Sequence, residues 1–212
     1  MKLLRAASIR RVIPCIVGRR KLRIISGKYR GRALIAPPGQ GTRPTADRVR
    51  EALFNVLEHA AWSPGLADVR VVDLFAGSGG LGLEALSRGA AYCLFVETDD
   101  AARGVIRQNI ETLAPAGDLF GRTRIHRRDA TALGLKPAGD GVPFDLAFLD
   151  PPYAKGLGER ALAELLAGGW LAEGAIAVFE RGADEPAPVA PGFELLDERK
   201  YGAARVWCLR RE

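Results

Sequence analysis

The stretch that most constrains this chain is Val69-Arg-Val-Val-Asp-Leu-Phe-Ala-Gly-Ser-Gly-Gly-Leu-Gly82. Val69, Val71, Val72, Leu74 and Phe75 form a short apolar run of high β-propensity. It stops at three glycines spaced Gly77-x-Gly79-x-x-Gly82, and Leu81-Gly-Leu-Glu-Ala-Leu86 then reads as a helix. A buried strand that turns through glycines into a helix opens a nucleotide-binding βαβ unit. Glycine matters there because a side chain would hold a ligand away from the backbone N–H groups and the helix N-terminus.

The rest of the chain extends this unit by alternation. Ala91–Val96 predicts a second buried strand ending at Glu97, and Asp99–Leu113 a helix with Ala102, Val105, Ile106, Ile110 and Leu113 on one side. Arg122–Arg127 and Phe144–Leu149 read as further strands, running into Asp129-Ala130 and Asp150-Pro-Pro-Tyr153. A helix over 157–167 leads to a strand at Ala175–Phe179. Segments 193–196 and 204–209 then suit a closing antiparallel hairpin. Such alternation predicts an α/β fold with a mostly parallel sheet and helices on both faces.

Upstream lies a different pattern. Leu22–Ser26 and Arg32–Ala36 flank Gly27-Lys-Tyr-Arg-Gly31 as a hairpin would. A helix capped by Thr45 or Asp47 follows, with Val49, Ala52, Leu53, Val56, Leu57 and Ala60 on its buried face. The chain thus divides into a basic, disordered extension (1–21), a hairpin and helix module (22–65) and the α/β domain (66–212).

Charge separates these parts. Residues 1–46 hold twelve Lys/Arg and no acid, leaving 19 of the 31 basic residues to set against all 25 acidic ones. A basic arm on a mildly acidic body points to a polyanion, most simply nucleic acid. Arg23, Lys28, Arg30, Arg32 and Arg43 are the candidate phosphate contacts. Tyr29 either stacks on a base among them or packs as a hairpin aromatic. Three scattered cysteines and two histidines offer neither a disulfide framework nor a zinc site. With no apolar run near 18 residues, the chain is expected to be cytoplasmic, free of membrane and metal, and monomeric.

The glycine spacing matches the dinucleotide fingerprint, and Glu97 lies 20 residues after Gly77, where a ribose-binding acid belongs. Two features argue against a dehydrogenase. Asp73 stands inside the strand where a dinucleotide fold keeps apolar side chains, and hydride transfer does not explain Asp150-Pro-Pro-Tyr153. Both suit S-adenosylmethionine. Asp73 faces its ammonium, backbone along Ala76–Gly80 approaches its methionine part, Glu97 takes the ribose hydroxyls, and Asp129 with Ala130 takes the adenine. Phe75, Ala76, Gly77, Ser78, Gly79 and Thr98 complete the expected contacts.

Asp73-Leu-Phe-Ala-Gly-Ser-Gly79 resembles motif I of Rossmann-like class I methyltransferases, and Asp150-Pro-Pro-Tyr153 resembles their motif IV for exocyclic amines. With Arg23–Arg32, Arg43–Asn55 and Leu81–Arg88, the chain is similar to the RsmD family, bacterial 16S rRNA guanine-N2 methyltransferases, over roughly 22–209. It departs at Ser26, where glycine is expected, and in the residues before Leu22. The resemblance implies a seven-stranded sheet, S-adenosylmethionine as cofactor, and 16S rRNA or the assembled small subunit as partner. It also implies that the Arg43–Thr45 loop and the helix carrying Arg48 close over cofactor and substrate.

For the reaction, Asp150 and the Pro151 carbonyl would accept the two hydrogens of the amine, Pro152 would stiffen the turn, and Tyr153 would stack on the flipped base. A DNA adenine-N6 or cytosine-N4 methyltransferase shares this motif. A non-catalytic RNA-binding protein with a relic cofactor fold is the rival of another class.

Overall fold

The computed structural model describes residues 22–36, 44–152 and 156–212, with the backbone alone at 44–46. The expected extension 1–21, Arg43, the Thr45 side chain and Tyr153 lie outside the described residues. In chain order the elements are α1 (Pro44–His59), β1 (Arg70–Leu74), α2 (Gly80–Ser87), β2 (Tyr92–Val96), α3 (Asp100–Leu113) and β3 (Thr123–His126). A 3-10 turn (Ala138–Asp140) precedes β4 (Phe144–Leu149), α4 (Leu157–Ala167), β5 (Leu171–Gly182), β6 (Phe193–Tyr201) and β7 (Ala204–Arg211).

The seven strands form one sheet in the order β3-β2-β1-β4-β5-β7-β6. The first five run parallel, and β7 pairs antiparallel with both β5 and β6. This is a Rossmann-like, class I methyltransferase topology with a C-terminal hairpin, as the alternation and the resemblance predict. The strand order reverses between β1 and β4, the place where open α/β sheets bind ligands. Register makes that place level: Leu74, the last residue of β1, stands opposite Val96 of β2 and Leu149 of β4. Whatever follows these three strands meets at one edge.

Side-chain alternation sorts the core into two faces. Val71, Cys93, Phe95, Leu146 and Phe148 face α1, α2 and α3, while Val72, Leu74, Leu94, Val96, Ala147 and Leu149 face α4 and Trp170. Central strands buried on both sides explain the near-continuous apolar runs of the sequence. Leu22, Ile24, Tyr29 and Leu34 of the N-terminal hairpin, with Leu53, Phe54 and Leu57 of α1, join the first face. The hairpin is short in ladder terms, with one bridge (Arg23 to Ala33) and backbone bonds such as Ile24 N–H to Arg32 O at 2.9 Å.

Boundaries differ from the sequence reading where apolarity alone does not end an element. Strand β5 begins at Leu171, because a bulge admits Ala172–Ala175 before pairing with β4 resumes at Ile176. Helix α1 begins at Pro44, so Asp47 lies inside its first turn, pairing with Arg50 and Arg23, and does not cap it.

Candidate active site

The site starts from the exit of β1. Phe75 leaves the strand with φ 60, a left-handed conformation that a bulky side chain seldom adopts, followed by Gly77 at φ 54 and Gly79 at φ 76. The turn is closed by the Ala76 N–H to Val96 O bond (3.2 Å) and the Gly79 N–H to Ala76 O bond (2.7 Å). A Cβ at Gly79 would come within 3.2 Å of the Phe95 ring, so position 79 stays bare backbone at the N-terminus of α2. Gly82 has a different task. A Cβ there would lie 2.4 Å from Cys93 Sγ and 2.5 Å from Phe95, so this glycine lets α2 lie flat on β2.

Three acids border the turn, and a fourth, Asp129, follows β3. Asp73 is 2% exposed and accepts a hydrogen bond from the Gly82 N–H at 3.0 Å. Burial, reinforced by the charges of Asp150 and Glu97, pushes its carboxyl up to about 8. Glu97 bridges two turns, accepting from the Gly77 N–H (2.9 Å) and the Asp99 N–H (2.8 Å). Buried Arg103 holds the backbone behind it by donating to the carbonyls of Glu97 (3.1 Å) and Thr98 (2.6 Å). Asp150 is exposed by area, yet its carboxyl is walled in closely enough for burial to push it up to about 6. Pro151 behind it is buried and Pro152 is exposed. Asp129, at the end of the β3 segment, is held below the usual carboxylate range by the backbone N–H and hydroxyl of Thr131, both at 2.8 Å; Ala130 beside it is buried.

The structure therefore gathers Asp73, the glycine turn, Glu97 and Asp150 at the β1–β4 switch point. Arg48 is exposed on α1. Of the basic hairpin residues, Lys28 pairs with Asp118, Arg32 donates to the carbonyl of Leu113, and Arg23 pairs with Asp47 at 3.4 Å. Arg30 is exposed, with no ion pair to a described residue. Tyr29 is corrected: it is 3% exposed and its hydroxyl donates to Asp118 at 2.7 Å, so the packed hairpin aromatic is what the structure holds. A ring already enclosed by protein has no face to offer a base.

Three residues went without a role in the sequence reading. Glu84 of α2 is fully buried and accepts from the N–H groups of Ile25 (2.7 Å) and Ser26 (3.0 Å) and from Arg88 Nε (2.7 Å). Ser87 donates to the Ser26 carbonyl (2.6 Å) and accepts from the Tyr29 N–H (3.0 Å). Asn109 of α3, also fully buried, accepts from the Ile35 N–H (2.7 Å) and donates to the carbonyls of Ile35 (3.0 Å) and Ser78 (2.9 Å). The available signal was a carboxylate amid the apolar residues of α2 and an amide beside the apolar stripe of α3.

Comparison with known proteins follows the same lines. The family model described as Conserved hypothetical protein 95 matches residues 22–210. Ribosomal RNA small subunit methyltransferase D of Escherichia coli K12 is 40% identical over 196 residues, covering 92% of either chain. Among solved structures, the putative methyltransferase yhhF from Escherichia coli superposes with a TM-score of 0.77 at 36% identity, covering 91% of this chain and 98% of that one. The putative methylase HI0767 from Haemophilus influenzae gives 0.71 at 31% identity over 90% and 98%.

Proposed function

This chain belongs to the RsmD family, whose family description is Conserved hypothetical protein 95, and from that membership we propose that it methylates the exocyclic N2 amine of a guanine in 16S rRNA, using S-adenosylmethionine. One observation carries the reading: the Asp73 and Glu97 carboxyls, neither in an ion pair with a described residue, stand beside a glycine turn across the strand switch from Asp150-Pro151-Pro152. The charges of Asp150 and Glu97 both add to the burial that raises Asp73. Such a site repels the pyrophosphate of a dinucleotide and suits a ligand with a cationic amino-acid end and sulfonium. This favours a methyl donor over NAD on the same fingerprint. Asp73, the backbone of Ala76–Gly79, Glu97 and Asp129 with Ala130 would hold it; its sulfonium supplies an electrophilic methyl group.

What the protein supplies is alignment and proton acceptance. The guanine amine is a poor nucleophile, because its lone pair is delocalised into the ring. Asp150 accepts one of its hydrogens and the Pro151 carbonyl the other, which draws the nitrogen towards tetrahedral geometry and frees the lone pair. A proline at 151 contributes no competing N–H. After transfer the nitrogen must shed a proton. A carboxyl raised towards neutrality is suited to take it and pass it to water. Tyr153 is the proposed stacking partner of the base. The Arg43–Thr45 loop and Arg48 would cover cofactor and substrate.

The test offers radiolabelled methyl donor with deproteinised 16S rRNA, assembled small subunits and duplex DNA, and maps the modified nucleotide. N2-methylguanine in the rRNA is expected. Asp150→Ala should lose at least about 100-fold in single-turnover rate while binding the donor as wild type does. Label in DNA adenine or cytosine would establish the rival enzyme reading, and no donor binding by calorimetry the relic one.

A further inference from the structure

The hairpin that carries the basic residues does not point its tip at the catalytic edge. Its second strand starts the path back towards the glycine turn, where Asn109 ties Ile35 to the same amide that holds Ser78. Its tip lies at the other end of α2. Lys28 N–H donates to Ser87 O at 2.7 Å, and a Cβ on Gly27 would be only 1.9 Å from that oxygen. Helix α2 runs from Gly80, in the cofactor turn, to Ser87, about 12 Å at 1.5 Å per residue. The tip is therefore anchored at the end of α2 opposite the cofactor turn.

A second loop joins them there. Asp118, in the α3–β3 connection, pairs with Lys28 and accepts from Tyr29 Oη, so the segment Gly117–Gly121 lies against the hairpin tip. This loop is a built turn. Gly117 and Gly121 take φ 79 and 76, Phe120 N–H donates to Gly117 O at 2.8 Å, and Leu119 is buried to 1%. Between these anchors Phe120 is 92% exposed. An isolated exposed apolar residue is ordinary. A phenylalanine held on a hydrogen-bonded turn, beside the exposed cations Lys28, Arg30 and Arg32, has the composition of a stacking platform for single-stranded nucleic acid. The one acid of the turn is already neutralised by Lys28.

We propose that the hairpin tip and the α3–β3 turn form one RNA-binding surface, remote from the methylation site, on which Phe120 stacks against an unpaired base while Arg30 and its neighbours hold the flanking phosphates. The inference rests on an RNA substrate, as proposed above, and assigns to Phe120 the stacking role that buried Tyr29 cannot fill. It also requires that RNA reach past the length of α2, which a structured RNA does and a short oligonucleotide around the target guanine does not.

The experiment measures equilibrium binding of full-length Phe120→Ala, Phe120→Trp and Arg30→Glu to deproteinised 16S rRNA and to assembled small subunits, over a range of salt. Phe120→Ala should weaken binding to the free rRNA about 5- to 150-fold with the salt slope unchanged, since stacking releases no counterions. Phe120→Trp should restore affinity, with its indole fluorescence quenched on binding. Arg30→Glu should lower the salt slope by about one or more. Donor affinity should stay at the wild-type value in all three. Wild-type affinity of Phe120→Ala for both substrates would overturn the proposal. So would a loss confined to assembled subunits, which would make Phe120 a protein contact. Wild-type methyl transfer to rRNA in the same preparations separates this failure from failure of the proposed function.

Discussion

Asp73 and Asp150 are both raised carboxyls, but they call for opposite tests. Asp150 serves as an acceptor, so it must be ionised. With its carboxyl pushed up to about 6, the single-turnover rate should be level above neutrality and fall as pH drops through about 6. A pH-independent rate between 5 and 8 would remove Asp150 from the chemical step. Asp73 bears on folding. Its folded-state value of about 8 lies above the ordinary 3.8, so the folded chain keeps a proton that the unfolded chain has lost between those limits. Stability from this group is therefore fully present below about pH 4 and is lost as pH rises towards 8. Asp73→Asn abolishes that titration, and its amide oxygen can still accept the Gly82 N–H. The variant should fall below wild type at pH 4 by the cost of the buried amide hydrogens it brings, and gain on it by a few kcal/mol between pH 4 and pH 9. Denaturant unfolding at the two pH values checks this, and donor calorimetry should show binding lost. Parallel pH slopes would mean that Asp73 is already ionised in the fold. A carboxylate costly to bury and retained in the strand is best understood through a cationic ligand.

At the scale of the element, the glycine fingerprint separates into two jobs that the sequence spacing runs together. Gly77 and Gly79 serve the turn, and Gly82 serves the contact between α2 and β2. The difference is measurable within one helix. Gly82→Ala drives a methyl into Cys93 Sγ and the Phe95 ring, which should lower stability by about 1–3 kcal/mol and reduce the melting temperature by several degrees. Gly80→Ala meets the side-chain ends of Ser78, Arg50 and Leu22, at 3.3, 3.5 and 3.8 Å, and gains helix propensity. Its melting temperature should be unchanged or higher; equal losses in the two variants would dismiss the packing account. What was legible follows the same division. Strands such as Phe144–Leu149 and the helix at 157–167 were readable to the residue, because apolar runs and periodicity are local signals. The β5 bulge was not, since it records how the strand meets β4. The acids at the strand ends were legible because β–α alternation alone places them at one edge. Tyr29 was readable only as two alternatives, because its burial depends on distant partners, the core it joins and Asp118, 89 residues away.

For the whole molecule, the N-terminal hairpin is part of the sheet's core and not a loose arm, and the contacts that make it so were the least legible of all. Glu84 reaches Ile25 and Ser26 across 59 and 58 residues, and Asn109 reaches Ile35 across 74. No spacing rule connects such partners. Glu84 is the pivotal one, a fully buried carboxylate whose two oxygens serve the hairpin backbone and Arg88, which in turn reaches Glu58 of α1 at 2.8 Å. Glu84→Ala leaves two backbone N–H groups and the Arg88 Nε without their acceptor. A loss on the order of 3–5 kcal/mol is expected for breaking a buried ionic contact of this kind. It should be local first. In hydrogen exchange, amides of 22–36 should lose protection in Glu84→Ala while those of β1, β2 and β4 keep theirs, because the central strands are paired on both sides independently of the hairpin. Donor binding should weaken as well, since Asn109 shares its amide between Ile35 and the Ser78 carbonyl of the cofactor turn. Uniform loss of protection across sheet and hairpin would show instead that the two fold as a single cooperative unit, with Glu84 acting on the stability of the whole and not on the docking of one segment.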